Sequence, residues 1–234
     1  GVEALLRWND PDLGPISPER FIPVAVCSGL IHSLGDWVLD TACRQSAQWA
    51  QAGTPVRISV NLSAQQFRQT ELVDRLARLM AQHGTQPDML ELEITETEAM
   101  ADPEMAREVL LRLRALGVSI ALDDFGTGYS SLSYLRLLPV SRLKIDREFT
   151  RHIMSRPDDA TLVRAVIALA HTLGLPVVAE GVETEGQLRF LRQHHCEVFQ
   201  GWLYAKALPA DEVSAMLLAE LLPGEADDAT PRYA

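Results

Sequence analysis

Lysine is almost missing from this chain: only Lys144 and Lys206 occur, and the other basic residues are arginine. Positive charge is short overall, with a formal net charge of −11 at pH 7. That balance excludes broad binding to a nucleic-acid polymer, which needs a basic face. Cysteine is scarce too, at three residues with no close-paired spacing (Cys27, Cys43, Cys196). Such usage excludes a thiolate metal cluster and suits reduced, mostly buried thiols of a cytoplasmic protein. No apolar run is long enough for a membrane span, and no signal peptide opens the chain, so no membrane contact is expected of this domain. No glycine-rich nucleotide fingerprint follows the first strand-like segment. A hydrophobic fraction of 47% over 234 residues is present, enough for the core of one large domain.

Strand-like and helix-like segments alternate along the chain. Strands are expected near Val2–Arg7, Val56–Leu62, Met89–Thr95, Val118–Asp123, Arg142–Asp146, Val177–Gly181 and Glu197–Gln200. Helical spacing is expected from Ser17-Pro18, over Asp36–Gln51, Thr70–His83, Asp102–Gly117, Asp158–Leu173, Thr184–His194 and Pro209–Leu221. Strict alternation argues for a parallel sheet with helical crossovers. A closed barrel needs eight strands and seven are counted, so the first strand is expected upstream of Gly1. The domain is expected over residues 1–222, with a Pro-, Ala- and Asp-rich tail over 223–234.

The strands carry polar residues on one parity. Ser59, Asn61 and Ser63 share a face opposite Ile58, Val60 and Leu62; Glu91, Glu93 and Thr95 oppose the leucines and Ile94; Lys144 and Asp146 oppose Leu143 and Ile145. Asp123-Asp124 ends the most apolar strand, and a glycine-bearing stretch, Phe125-Gly126-Thr127-Gly128-Tyr129-Ser130-Ser131, follows it. Neighbouring carboxylates repel, and both stay ionised only beside cations. Singly, each acid reads as ordinary strand-end turn chemistry. Together, Glu3, Asn61, Glu93, Asp123, Asp124, Lys144, Glu180 and Gln200 come from seven strands and suit a site at the C-terminal mouth of a barrel. Oxygen donors without cysteine suit hard cations, Mg²⁺ or Mn²⁺, and the Asp pair suits two of them.

Glu3-Ala4-Leu5-Leu6-Arg7-Trp8, Asn61-Leu62-Ser63, Glu93-Ile94-Thr95-Glu96, Asp123 to Ser131, Lys144-Ile145-Asp146, Glu180-Gly181-Val182-Glu183 and Gln200-Gly201 follow one another in the order of a known family. Read together, they resemble the EAL-domain family of cyclic di-GMP phosphodiesterases, from Gly1 to about Leu208. The resemblance implies a modified (β/α)8 TIM-like barrel with one antiparallel strand. It also implies hydrolysis of cyclic di-GMP to linear pGpG with two divalent ions, Ca²⁺ being inhibitory. Glu3, Asn61, Glu93 and Asp123 would hold one metal; Asp123 would bridge to a second, beside Asp124 and Glu180. Lys144 would orient the attacking water, with Glu183 and Gln200 in support. Leu5, Arg7 and Gln200 would contact substrate, while Thr95 and Glu96 would anchor the loop after Asp124. A homodimer is implied, as is an attached N-terminal sensory or GGDEF-type domain whose parent could be membrane-anchored.

Two departures stand out. The family's upstream Gln-Pro-Ile strand is not in this sequence, and Trp202-Leu203-Tyr204-Ala205-Lys206-Ala207 replaces the glycine and proline usual after Gln-Gly. A non-catalytic cyclic di-GMP receptor is the alternative reading, and an enolase-like barrel with Lys144 as base is a third. The oxygen-only donor set generates a direct expectation. Hydrolysis of cyclic di-GMP should vanish in EDTA, return with Mg²⁺ or Mn²⁺, and fall in excess Ca²⁺, whose longer and looser coordination misplaces the water. Full activity in EDTA contradicts the metal assignment.

Overall fold

The computed structural model describes residues 1–126 and 132–221; the expected tail and residues 127–131 of the glycine-bearing stretch lie outside the described residues. Strand β1 (Val2–Ala4) is shorter than the expected Val2–Arg7. The chain turns back instead, as a hairpin of β2 (Trp8–Asp10) and β3 (Gly14–Ile16). The Asp10 carboxylate accepts the N–H groups of Asp12 and Leu13 at 3.0 Å each, and Gly14 takes the left-handed φ of 70° that closes the turn.

Helix α1 (Pro18–Ser28) starts at the proline, as the Ser17-Pro18 pair predicts, although the Ser17 side chain makes no capping bond. Helix α2 (Ile31–Gln51) begins five residues before the expected Asp36, because Gly29 ends α1 at a φ of 76° and leaves only Leu30 between the two. Strand β4 (Ile58–Asn61) follows, then α3 (Ala64–Phe67), α4 (Leu72–His83) and β5 (Leu90–Thr95). Ser63, expected on the polar face of a strand, caps α3 in a reciprocal box with Gln66. Beyond β5 come α5 (Glu96–Ala101), α6 (Pro103–Ala115), β6 (Ser119–Phe125), α7 (Leu132–Leu135), β7 (Arg142–Ile145), α8 (Arg147–His152) and α9 (Pro157–Thr172). The chain ends through β8 (Val177–Ala179), α10 (Glu185–Gln193), β9 (Val198–Phe199) and α11 (Ala210–Leu221).

All seven expected strands are present. They form one sheet in the order β1-β4-β5-β6-β7-β8-β9. The pairs β1 with β4, β6 with β7, β7 with β8 and β8 with β9 are parallel. The β2–β3 hairpin is antiparallel, with Trp8 opposite Ile16 and Asp10 opposite Gly14. Among the described residues no single helix is long and apolar enough to cross a membrane. Cys43 and Cys196 are buried as expected, whereas Cys27 is exposed.

The chain divides into two compact bodies. The first holds Gly1–Leu92, Ala115–Val118 and the segment from Pro209. Its core is α2 packed on α4, with Leu39, Cys43, Ala47, Leu72 and Leu76 buried between them. Arg75–Asp36 and His83–Asp40 pairs tie the same two helices together at their polar margins. Trp49 donates its indole N–H to Ser214 Oγ at 2.7 Å, which docks α11. The second body holds Glu93–Arg114 and Ser119–Leu208. Its strands β6 to β8 are buried on both faces, as a parallel sheet covered by helices requires.

In the second body the connection after β8 is laced to the one after β9. Val182 donates to the Gln200 carbonyl at 3.0 Å, and Leu203 donates to the Val182 carbonyl at 3.0 Å. Gly201 makes this approach possible: a Cβ there would lie 2.2 Å from the Val182 oxygen and 2.3 Å from its nitrogen. Gly201→Ala should therefore strain backbone against backbone. Overpacking of this kind costs about 1–3 kcal/mol, which for a domain of this size lowers Tm by roughly 2–12 °C. A thermal melt checks it, and an unchanged Tm contradicts the close packing.

Candidate active site

The end of β7 carries a lysine into the interior of the second body. Lys144 is only 2% exposed, and a lysine that buried stays charged only if acids surround it. Three do. Its ammonium donates to Glu93 Oε2 at 2.6 Å, and lies 2.5 Å from Glu180 Oε1 and 3.3 Å from Asp123 Oδ2. Glu93 comes from β5, Asp123 from β6 and Glu180 from the residue after β8. The Glu180 N–H donates to the Ile145 carbonyl at 3.1 Å, which fixes that residue beside the strand bearing Lys144.

Alternation along a strand would send Asp123 and Asp124 to opposite faces. The register shows how the chain departs from that rule. Leu122 pairs with Leu143 and Phe125 with Ile145, so β6 spends one extra residue against β7 at the Asp pair. Asp124 takes a φ of 54°, which is unusual for a residue with a side chain, and its N–H donates to Asp123 Oδ1 at 3.0 Å. Burial raises the Asp124 carboxyl from 3.8 to about 6, helped by the charge of Asp123 and by a hydrogen bond with Asp146; Lys144 acts in the opposite sense. Asp146 also accepts the Glu148 N–H at 2.7 Å and so caps α8. The sequence placed Asp146 on a strand without a role. A strand-end Asp opening a helix is the signal that marks it as a cap.

Glu96 opens α5 rather than ending β5, and it is 1% exposed. Its Oε2 accepts the N–H of Gly126 at 2.8 Å. The buried carboxylate thus holds the first glycine of that stretch, two positions from Asp124. Thr95 caps α5 in a reciprocal box with Glu98, and has no bond to that stretch among the described residues.

In the first body Glu3 and Asn61 meet. Parallel β1 and β4 pair Glu3 with Ser59, and Asn61, two residues on, donates from Nδ2 to Glu3 Oε1 at 2.7 Å. Below them Ser59 Oγ donates to Glu91 Oε1 at 2.9 Å. This buried glutamate shares the parity of Glu93 and was given no role from sequence. Leu5 and Arg7 are exposed, with the Arg7 guanidinium donating to the Leu6 carbonyl at 2.8 Å. In the second body Glu183 is exposed, and its N–H donates to Gln187 Oε1 at 2.8 Å. The Gln200 N–H donates to the Ala179 carbonyl at 2.8 Å, seating that residue beside β8.

Three carboxylates meet one ammonium here, with Asp124 beside them. Carboxylate oxygens are the donors a hard divalent cation takes. As the side chains stand, Lys144 is what the acids enclose, and among the described residues no group of three or more His, Cys, Asp or Glu is placed so that it could hold a metal ion.

Residues 1–207 match the family described as "EAL domain". The chain is 49% identical over 216 residues to the bifunctional diguanylate cyclase/cyclic di-GMP phosphodiesterase MucR of Pseudomonas aeruginosa, covering 92% of this chain and 32% of that one. It is 45% identical over 219 residues to the cyclic di-GMP phosphodiesterase NbdA of the same organism, covering 93% and 28%. The chain thus spans about a third of the length of these relatives. Among solved structures, the MucR phosphodiesterase in complex with c-di-GMP superposes with a TM-score of 0.88 at 48% identity, covering 90% of this chain and 86% of that one. The EAL domain of DcpA from Mycobacterium smegmatis gives 0.76 at 42%, covering 82% and 87%. The fold is therefore of the modified (β/α)8 barrel class.

The raised Asp124 carboxyl predicts a pH effect on the metal-free protein. The folded state holds the Asp124 proton more tightly than the unfolded state does, so this group contributes its loss of stability as pH rises between about 3.8 and 6. In EDTA, the Tm advantage of Asp124→Asn over wild type should grow across that window and level off above it. A difference that is flat with pH contradicts the assignment.

Proposed function

This chain belongs to the EAL-domain family, and we propose that it hydrolyses cyclic di-GMP to linear 5′-pGpG with two divalent ions, Mg²⁺ or Mn²⁺. The observation that carries the reading is the buried Lys144 with Glu93, Asp123 and Glu180 against it, in a chain closely similar to a phosphodiesterase solved with c-di-GMP. The proposed ligand set is Glu3, Asn61, Glu93, Asp123, Asp124 and Glu180. When bound, the two ions would neutralise the diester anion and make water acidic enough to attack at neutral pH.

The remaining chemistry belongs to the chain. Lys144, kept protonated by its acids, donates a hydrogen bond that points the attacking water. The new bond joins the water oxygen to phosphorus, the bond to a ribose 3′ oxygen breaks, and that oxygen takes up a proton. Arg7 offers a forked donor to a phosphate oxygen, Leu5 and Gln200 line the substrate, and Glu183 supports the loop that bears Glu180. Glu96 holds Gly126, and through it the conformation in which Asp123 and Asp124 sit. We further propose a homodimer acting in the cytoplasm as one domain of a longer signalling protein, as the length of the relatives suggests.

Turnover tests the reading. Purified protein with Mg²⁺ should convert cyclic di-GMP to pGpG, followed by chromatography. Binding without product would leave a receptor instead. Ala in place of Glu3, Asp123 or Glu180 should cut turnover by at least ~10³-fold, the scale of a lost main electrostatic stabiliser, with circular dichroism unchanged. Glu96→Ala should lower turnover at limiting Mg²⁺ and recover in part at high Mg²⁺, because excess ion selects the competent loop. Wild-type turnover of Glu96→Ala at limiting Mg²⁺ overturns the anchoring role.

A further inference from the structure

Gln187, on the first turn of α10, is only 5% exposed, and its amide is bonded at both ends. Oε1 accepts the N–H groups of Glu183 and Thr184 at 2.8 Å each. Nε2 donates to the carbonyls of Thr150 at 3.2 Å and Arg151 at 3.4 Å. An amide has two N–H donors and two acceptor sites, so all four are used; the groups around it also fix which end is oxygen. The capping box of α10 accounts for one of these bonds, that from the Thr184 N–H. The other three lie outside the box: one holds the loop before α10, and two hold the last turn of α8.

Those two segments carry the Lys144 site. The loop bears Glu180, whose carboxylate lies 2.5 Å from the Lys144 ammonium, and α8 opens directly after Lys144-Ile145-Asp146. Loop and helix touch along their length. A Cβ on Gly181 would fall 2.6 Å from the Arg147 Cβ, and one on Gly186 would meet Met154 at 3.6 Å. Strand β8 is three residues long and gives way at Glu180 to irregular backbone, whose polar groups need partners from elsewhere. Gln187 supplies them for Glu183 and Thr184. Separating the loop from α8 would leave buried donors and carbonyls unmet, which is costly.

We propose that Gln187 is a positioning residue for the reaction: its one buried amide fixes the loop that bears Glu180 and Glu183 against α8, and so sets Glu180 relative to Lys144. The inference rests on the reading of the chain as a cyclic di-GMP phosphodiesterase and adds a residue that acts through others. Gln187→Glu separates this role from capping. Glutamate serves equally well at the third position of a capping box, and still accepts from Glu183 and Thr184. As a carboxylate it has no donor for the Thr150 and Arg151 carbonyls.

The test compares wild type, Gln187→Glu, Gln187→Met and Thr184→Ala, with thermal melts to show that each is folded. Both Gln187 variants should lower kcat for cyclic di-GMP in Mg²⁺ roughly 10- to 100-fold, the scale on which supporting partners of site residues act, with KM changed much less. Thr184→Ala loses the cap hydroxyl but keeps the four bonds of the amide, so it should lower Tm and leave kcat at the wild-type value. In EDTA and without substrate, the Glu183 and Thr184 amides should exchange hydrogen faster in Gln187→Met than in wild type. Wild-type kcat in Gln187→Glu, or in Gln187→Met should the charged variant not fold, overturns the proposal by reducing Gln187 to a cap. An equal kcat loss in Thr184→Ala overturns it too, since any weakening of α10 would then suffice. A wild type without turnover refutes the phosphodiesterase reading instead. The exchange measurement then decides the link between loop and helix by itself, and unchanged exchange in Gln187→Met overturns that link.

Discussion

The ion network at Lys144 is what the second body is built to hold. One ammonium, almost wholly out of water, meets carboxylates from three different strands or strand ends at 2.5 to 3.3 Å. Each charge is tolerable only because the others are there. Removing Lys144 would take the shared cation from all three acids, a loss of the kind that costs about 3–5 kcal/mol. The strands must therefore keep their register, since a slip of one residue would turn Lys144 or Glu93 to the other face.

The bulge in β6 and the bond from Glu96 extend that logic to the loop. A regular strand could not bring Asp123 and Asp124 into one neighbourhood. The extra residue and the left-handed Asp124 do so, and the Asp124 N–H bonded to Asp123 helps to hold them there. Strained backbone of this sort persists only where its surroundings over-determine it. Glu96 supplies part of that constraint, by tying Gly126 from the neighbouring α5. Static geometry near the metal-ligand candidates is thus set by residues that are not ligands.

Much of this was legible in the sequence, and the reasons differ by element. The seven strands were visible because both-face burial gives continuous apolar runs such as Val118 to Leu122, and because polar residues of one parity interrupt Leu90 to Thr95. Lys144 and Glu93 were visible as charges inside such runs. The β2–β3 hairpin was missed because its closure depends on the Asp10 side chain and Gly14, a turn that composition alone does not reveal. The start of α2 was missed because Gly35 weakens the helical pattern, yet glycine is what the Gln66 side chain needs there: an added Cβ would fall 1.7 Å from its Nε2. The bulge was hidden because register is a property of two strands together.

The central claim, that these acids gather to hold two cations, is tested most directly by titrating Mn²⁺ into metal-free protein in the presence of cyclic di-GMP and counting bound ions by calorimetry or paramagnetic resonance. Wild type should bind two Mn²⁺ per chain, and Asp123→Ala should lose that binding. A wild type that binds none, or an Asp123→Ala protein that binds two with unchanged affinity, would contradict it.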